Sequence, residues 1–234
     1  MKIRLQYTLL FLSVLFLTTS LFAKEEERNV ATFSEVSLRI DAKVYIEQGD
    51  EQKVVVGAKA STLDELITEV KGRALIIRFP NKNLFRNDFH PGAIEIHITV
   101  PEVDKLSVSG SGSLFLEDVK SRIIDLYVSG SGDITFENLK TKRISASVSG
   151  SGNINIKSGG IADELKAAIS GSGNINAKNF EASNVVVHTL GSGSCSITSN
   201  GAIKARITGS GNVYYKGNPS IDSAVTGSGS VREL

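Results

Sequence analysis

Serine residues recur in this sequence at a nearly fixed spacing, and each of them lies between two glycines. The intervals between successive Gly-Ser-Gly triplets are 20, 20, 21, 20, 18 and 18 residues. The serines are Ser111, Ser131, Ser151, Ser172, Ser192, Ser210 and Ser228. If each repeat forms one coil of a stacked structure, their hydroxyls form a single column that both donates and accepts hydrogen bonds.

A second polar column is expected two positions after each serine. Its amide and carboxylate members are Asp133, Asn153, Asn174 and Asn212, and serines occupy the equivalent positions 113, 194 and 230. A flat array of hydroxyls and amides is suited to bind a glycan, an ordered water layer or the sheet of a partner. The simpler interpretation is that small polar side chains coat a tight strand face and stabilise it by hydrogen bonds along the column. Both interpretations stay open at this point.

The sequence indicates no catalytic, cofactor-binding or metal-binding set. Hydrolysis of a polysaccharide requires two carboxylates placed together, and we expect no acidic residue to recur at one outward position of adjacent coils. His90, His97 and His188 lack the spacing of metal ligands. The Gly-Ser-Gly triplets lack the lysine and the following helix of a phosphate-binding loop. An enzyme is therefore not expected.

The residues around each triplet alternate strictly between apolar and polar. In the second repeat Leu126, Val128 and Ile134 share one parity, whereas Tyr127 and Ser129 share the other. Strict alternation is typical of a half-buried strand. The glycines have the parity of the apolar residues, so both are predicted to face inward, where backbones approach closely or the chain bends.

The repeat predicts an all-β fold, a right-handed parallel β-helix or solenoid with coils of about 20 residues. Each coil would then bury its apolar face against the next. A tandem array of antiparallel β-hairpins is the alternative, because a short loop that ends in glycine also closes hairpins and preserves the same parity.

Three segments are expected along the chain. Residues 1–23 are predicted to be a signal peptide, with Lys2 and Arg4 before a short apolar run and a cleavage point after Ala23, and an uncleaved N-terminal anchor is the alternative. Residues 24–105 contain alternating strands without the triplet, and they are predicted to form an irregular β cap that covers one end of the solenoid. Residues 106–234 form the repeat region, in one continuous domain with the cap.

Charge and cysteine content exclude several classes of protein. Without residues 1–23 the chain has 24 basic and 25 acidic residues, and no basic stripe indicates nucleic-acid binding. The mature chain contains no second apolar run long enough to span a membrane. Cys195 is the single cysteine, so no internal disulfide forms, and its inward parity predicts a small core residue.

Longer stretches of the sequence resemble the bacterial head GIN domain adhesins. The resemblance extends over about 33–230 and rests on the run from Phe33 through Gln48-Gly49-Asp50, on Ile67–Val70, and on the repeats Gly152-Asn153-Ile154-Asn155 and Gly173-Asn174-Ile175-Asn176. It implies an exported, all-β, non-enzymatic protein of the periplasm or cell surface, with repeats like those in the heads of autotransporter adhesins. It supplies no catalytic residues and no cofactor.

These observations predict an exported, adhesin-like binding module of the cell envelope or surface. It would be found in the periplasm, on the outer membrane or in the medium, and its ligand would be a glycan or a protein. A structural component that self-associates through sheet edges or through the serine and asparagine columns is a second hypothesis. A polysaccharide-degrading β-helix enzyme is a third and the least favoured.

Overall fold

A computed structural model describes residues 24–80 and 90–234 of the chain. The predicted signal peptide lies outside the described residues. The described elements are β1 (Lys24–Glu27), β2 (Glu35–Leu38), β3 (Lys43–Gln48), β4 (Lys53–Ala58), α1 (Ala60–Glu65), β5 (Ile67–Lys71), β6 (Ala74–Arg78), β7 (Glu95–Val100), β8 (Lys105–Gly110), β9 (Ser113–Gly130), β10 (Asp133–Gly150), β11 (Asn153–Ile156), β12 (Ile161–Gly171), β13 (Asn174–Gly191), β14 (Cys195–Thr198), β15 (Ala202–Gly209), β16 (Asn212–Lys216), β17 (Ser220–Thr226) and β18 (Ser230–Glu233).

The strands of the repeat region stack in parallel as a β-solenoid of about six turns. β10 pairs in parallel with β9 on one side and with β11 and β12 on the other. The first glycines of successive triplets lie in register, in the order Gly110, Gly130, Gly150, Gly171, Gly191 and Gly209. The predicted parallel solenoid is therefore confirmed, and the antiparallel hairpin alternative is wrong for the repeats.

The core is a stack of apolar side chains that repeats from coil to coil. In β9 and β10, Leu126 aligns with Ala146 and Leu116 aligns with Phe136, and all four are buried. The prediction that Cys195 is a core residue is confirmed, because its side chain is fully buried. Burial also raises the pKa of the Cys195 thiol to about 12, so this sulfur has no nucleophilic character at neutral pH.

The two glycines of each triplet occupy different environments, which corrects the prediction that both face inward. The first glycines are not buried, and their φ angles lie between +116° and +120°. They turn the chain at a corner, in a backbone conformation that residues other than glycine rarely adopt. The second glycine is buried in every triplet but the last, where Gly229 is half-buried. A Cβ on Gly152 would lie 2.0 Å from the carbonyl oxygen of Gly132. The second glycine therefore faces the interior, whereas the first lies at the corner.

Hydrogen bonds fasten each corner to the next. The Ser151 and Gly152 N–H groups both donate to the carbonyl oxygen of Gly130, at 2.8 and 3.0 Å. The same paired contact joins Ser131 and Gly132 to Gly110. Because one carbonyl accepts both donors, successive corners are held at a fixed spacing.

The residues before the first triplet continue the same sheet. β2 pairs in parallel with β8, and β3 pairs in parallel with β9. Three further pairs in this region are antiparallel: β4 with β7, β1 with β4, and β5 with β6. At the opposite end every residue of β17 is exposed.

Candidate binding surface

The predicted serine column lies along the corner of the solenoid, and each of its members is exposed. The column consists of Ser111, Ser131, Ser151, Ser172, Ser192, Ser210 and Ser228. Because the neighbouring glycines are in register, the serines repeat at the spacing of paired strands, about 4.8 Å. In the part of the chain that the structure describes, their hydroxyls have no hydrogen-bond partner. The corner therefore presents a line of free donors and acceptors.

The neighbouring column of Asp133, Asn153, Asn174 and Asn212 is bonded within itself. Asn153 Nδ2 donates to Asp133 Oδ1 at 2.9 Å, and Asn174 Nδ2 donates to Asn153 Oδ1 at 3.0 Å. The Ser194 N–H continues the series by donating to Asn174 Oδ1. Asn212 Oδ1 accepts from Ser230 Oγ at 2.7 Å in the last coils. These groups stabilise the stack, and much of their hydrogen-bonding capacity is already used.

On one side of the corner, a shallow groove forms where small residues lie between bulky side chains. Tyr127 forms one wall of this shallow groove of about 450 Å³, and Leu190 and Arg206 form the other. Ser147 and Ala168 line the floor. Leu190 is 59% exposed and occupies the column that elsewhere carries Ser170 and Thr208, beside the serine column rather than in it.

On the other side of the corner, three aromatic rings stack on the sheet surface. The Tyr45 ring lies 5.1 Å from the His97 ring and 5.3 Å from the Phe115 ring, with interplanar angles of 13° and 22°. The stack is possible because Tyr45 pairs with His97 on one side and with Phe115 on the other. None of these residues was proposed from the sequence.

Beside the aromatic rings runs a column of carboxylates, which corrects the expectation that no acidic residue recurs at one outward position. The flanking pairs Leu116–Phe136 and Asp118–Asn138 place Glu117 next to Glu137 in the adjacent coil. Glu47 follows Ile46, which pairs with Leu116. Beyond Glu137 the column becomes basic, because the pairing of Phe136 with Ile156 places Lys157 next to Glu137. Lys157 Nζ donates to Glu137 Oε1.

We call the surface depression along these columns the Phe115 groove. Its first part, of about 380 Å³, is lined by the three rings and by Glu47, Glu117, Thr135 and Glu137, among others. Its second part, of about 580 Å³, is lined by Phe115, Thr135, Glu137, Asn155, Lys157, Asn176 and Lys178, among others. The two parts share Phe115, Thr135 and Glu137, so the groove continues over several coils.

Of the remaining residues considered in the sequence, His97 belongs to the groove and the others lie apart from it. Among the described residues no group of three or more His, Cys, Asp or Glu side chains is arranged to hold a metal ion. His97 belongs to the aromatic stack, whereas His188 lines the Tyr127 groove. Arg206 Nη2 donates to Asp222 Oδ2 at 2.8 Å, and this contact holds the pKa of Asp222 below its usual value.

The fold and its surface define a repeat-built β-solenoid that presents extended columns of side chains, a class that uses long surfaces for contact. The chain belongs to the family described as "Putative auto-transporter adhesin, head GIN domain", whose model matches residues 32–219. The resemblance predicted from the sequence is thus confirmed. A family of this description consists of surface or exported proteins. Within residues 24–80 and 90–234, no helix is long and apolar enough to cross a membrane.

Solved structures share the fold. The chain is similar to a protein from Bacteroides fragilis described as a "putative adhesin", at 21% identity and a TM-score of 0.82, over 92% of this chain and 98% of that one. It is similar to a protein from Parabacteroides distasonis described as a "putative lipid binding protein", at 24% identity, a TM-score of 0.71 and the same coverage. A second protein from Parabacteroides distasonis, described as a "putative adhesin", matches at 24% identity and a TM-score of 0.67, over 91% of this chain and 97% of that one. No curated protein matches the chain.

Proposed function

We propose that this protein is an exported, non-enzymatic module of the cell envelope or surface that binds an external ligand by many weak contacts. The observation that carries the proposal is the serine column, whose exposed hydroxyls repeat along a rigid corner and lack partners among the described residues. Contacts that are weak singly become strong together when a rigid scaffold presents them in line. The description of the family as adhesins supports this function.

The proposed absence of catalysis rests on the environment of the carboxylates. Glu117 and Glu137 are neighbours, as the two carboxylates of a glycosidase must be. The general acid of such an enzyme is a carboxyl that burial keeps protonated. Glu117 is exposed, and the Glu137 side chain is 55% exposed and is paired with Lys157, so neither carboxyl is that buried acid.

Retention of the purified protein on mucin-coated beads, compared with albumin-coated beads, tests the binding function. The variant changes Ser131, Ser151 and Ser172 together to Arg, which adds three positive charges and blocks the column. The control combines Asp163→Arg and Ser183→Arg, which adds the same charge in another exposed column of the same coils. We expect retention to be lost only in the serine variant. Equal retention of the serine variant and the wild type would contradict the proposal.

Export is proposed from residues 1–23, and residues 24–105 are proposed to cap one end of the solenoid. The protein recovered from the periplasm or the medium is expected to begin at Lys24. Recovery of a chain that still begins at Met1, from the cytoplasm alone, would contradict export.

Self-assembly is a second candidate function, and the last described coil favours it. Ile221 and Val225 of β17 are each 40% exposed, although the equivalent Ile203 and Ile207 of β15 are buried. A second copy could cover these side chains by pairing with the exposed strand. Sedimentation should then show dimers in the wild type and monomers in Val225→Lys. A wild type that stays monomeric at high concentration would contradict assembly.

A further inference from the structure

The aromatic stack of the Phe115 groove ends in an open ring face. One face of the Phe115 ring is covered by Tyr45, at 5.3 Å between centroids. The opposite face lies on the side of the next coil, where Phe115 pairs with the much smaller Thr135. The ring therefore forms a step above the coils that follow.

Beyond this step the same column becomes a polar shelf, formed by Thr135, Asn155 and Asn176 in three successive coils. The shelf lines the part of the groove whose volume is about 580 Å³. Asn176 Oδ1 is buried and accepts no hydrogen bond from the described residues. A covered carbonyl oxygen without a donor is unusual, and reorientation of this amide toward a hydroxyl in the groove would satisfy it.

Charged side chains of both signs border the shelf. Glu137 and Lys157 form an ion pair beside Thr135 and Asn155, and Lys178 lies one coil further. Carboxylate oxygens accept hydrogen bonds and ammonium groups donate them. The border therefore offers both kinds of partner to hydroxyl groups, with little net charge to attract a strongly ionic ligand.

We propose that the Phe115 groove binds a neutral glycan, with one pyranose ring stacked on the open face of Phe115 and its hydroxyls bonded to the polar shelf. The C–H groups on one face of a pyranose carry partial positive charge and pack against the negative face of an aromatic ring. A site with one flat apolar face and a few convergent polar groups has the composition of a small-molecule subsite. The proposal rests on the proposed binding function, because it names the ligand class of that module.

The position of the groove favours a sugar over a peptide strand. Peptides that extend a sheet bind to the free N–H and C=O groups of an edge strand. The shelf lies in the middle of the sheet, where β11 already pairs with β10 on one side and with β13 on the other. Recognition here must therefore use side chains, as stacking and hydroxyl contacts do.

Calorimetric titration with neutral oligosaccharides prepared from starch, β-glucan, xylan, galactomannan and chitin tests the proposal. Phe115→Leu keeps an apolar side chain but removes the flat ring, and Phe115→Trp restores one. Tyr127→Leu is the matched control, because Tyr127 is an exposed outward aromatic residue on the other side of the corner. Circular dichroism verifies that each variant is folded.

We expect the wild type to bind at least one of these neutral glycans. Phe115→Leu should weaken that binding at least tenfold, whereas Phe115→Trp and Tyr127→Leu should change it less than threefold. Absence of binding to the whole panel overturns the proposal, as does equal binding by Phe115→Leu. The anionic glycans heparin and polygalacturonate are titrated alongside the neutral panel. Binding restricted to these two also overturns the proposal, because the charges of Lys157 and Lys178 would then account for the binding.

The mucin assay separates this inference from the proposed function. If the wild type and Phe115→Leu are retained equally on mucin and no neutral glycan binds, the inference fails while the function stands. If a neutral glycan binds through Phe115 but mucin retains nothing, adhesion fails while the glycan site stands.

Discussion

Two glycines with the same backbone conformation provide a direct test of how tightly the coils are stacked. Gly110 and Gly150 are first glycines of their triplets, and both have a φ of +119°. A Cβ on Gly110 would have no atom within 4 Å, whereas a Cβ on Gly150 would lie 2.5 Å from the carbonyl oxygen of Gly130. Substitution with alanine therefore imposes the same backbone strain at both sites but a clash only at the second.

The structure sets the expected size of each effect. Holding a residue other than glycine in a sparsely populated backbone region costs about 1–3 kcal/mol, and this is the expected loss for Gly110→Ala. Overpacking adds about 1–3 kcal/mol, and backbone atoms yield less readily than the end of a side chain. Gly150→Ala should therefore destabilise the protein by about 2–6 kcal/mol, as the sum of the two effects.

Guanidinium unfolding followed by far-ultraviolet circular dichroism measures both variants against the wild type. The informative quantity is the difference between the free energies of unfolding of the two variants, because the shared strain cancels. If Gly150→Ala and Gly110→Ala lose the same stability, the coils separate freely at the corner, and the close contact of glycine backbones does not hold the stack together.

Three further predictions follow from single contacts. Cys195, whose thiol pKa is raised by burial to about 12, should not react with Ellman's reagent at pH 8 until guanidinium unfolds the protein, and rapid labelling of the native state would contradict its burial. Asn153→Ala should lower the free energy of unfolding by about 1–3 kcal/mol, because it removes hydrogen bonds to both neighbours in its column; an unchanged value would show that the column does not stabilise the stack. Arg206 lowers the pKa of Asp222, so their stabilising contact is present above pH 3.8 and is lost as the pH falls through the lowered folded-state value. Thermal melts should therefore show a smaller acid-induced loss of stability in Arg206→Ala than in the wild type, and parallel profiles would contradict this linkage.

The spacing of the Gly-Ser-Gly triplets and the alternation of apolar and polar residues were enough to predict the stacked coils, because every repeat must pack against its neighbours in the same way. They were not enough to separate the two glycines of a triplet. Gly130 and Gly132 have the same parity, and parity does not report φ. In the folded protein Gly130 turns the corner with a φ of +116°, whereas Gly132 lies against the backbone of Gly112.

The parts of the binding surface differ in how readily the sequence could reveal them. Glu117 and Glu137 are 20 residues apart, so applying the triplet spacing to every outward position would have paired them. The triplet spacing could not have predicted the contact between Tyr45 and Phe115. Tyr45 precedes the first triplet, and its register with Phe115 depends on the pairing of β3 with β9 across a long separation in sequence.

The same packing that fixes the coils leaves the outward columns free to specialise. An inward position must match the coil above and the coil below, and the second glycine admits no side chain. An outward position meets its neighbours in the column and the solvent, so Phe115, Thr135 and Asn155 follow one another without disturbing the core. Binding specificity in this fold should therefore depend on where an outward column changes from one side-chain type to another. The change from Phe115 to Thr135, which leaves one ring face open, is such a boundary. The change from Glu137 to Lys157 is a second boundary, one coil further along the solenoid.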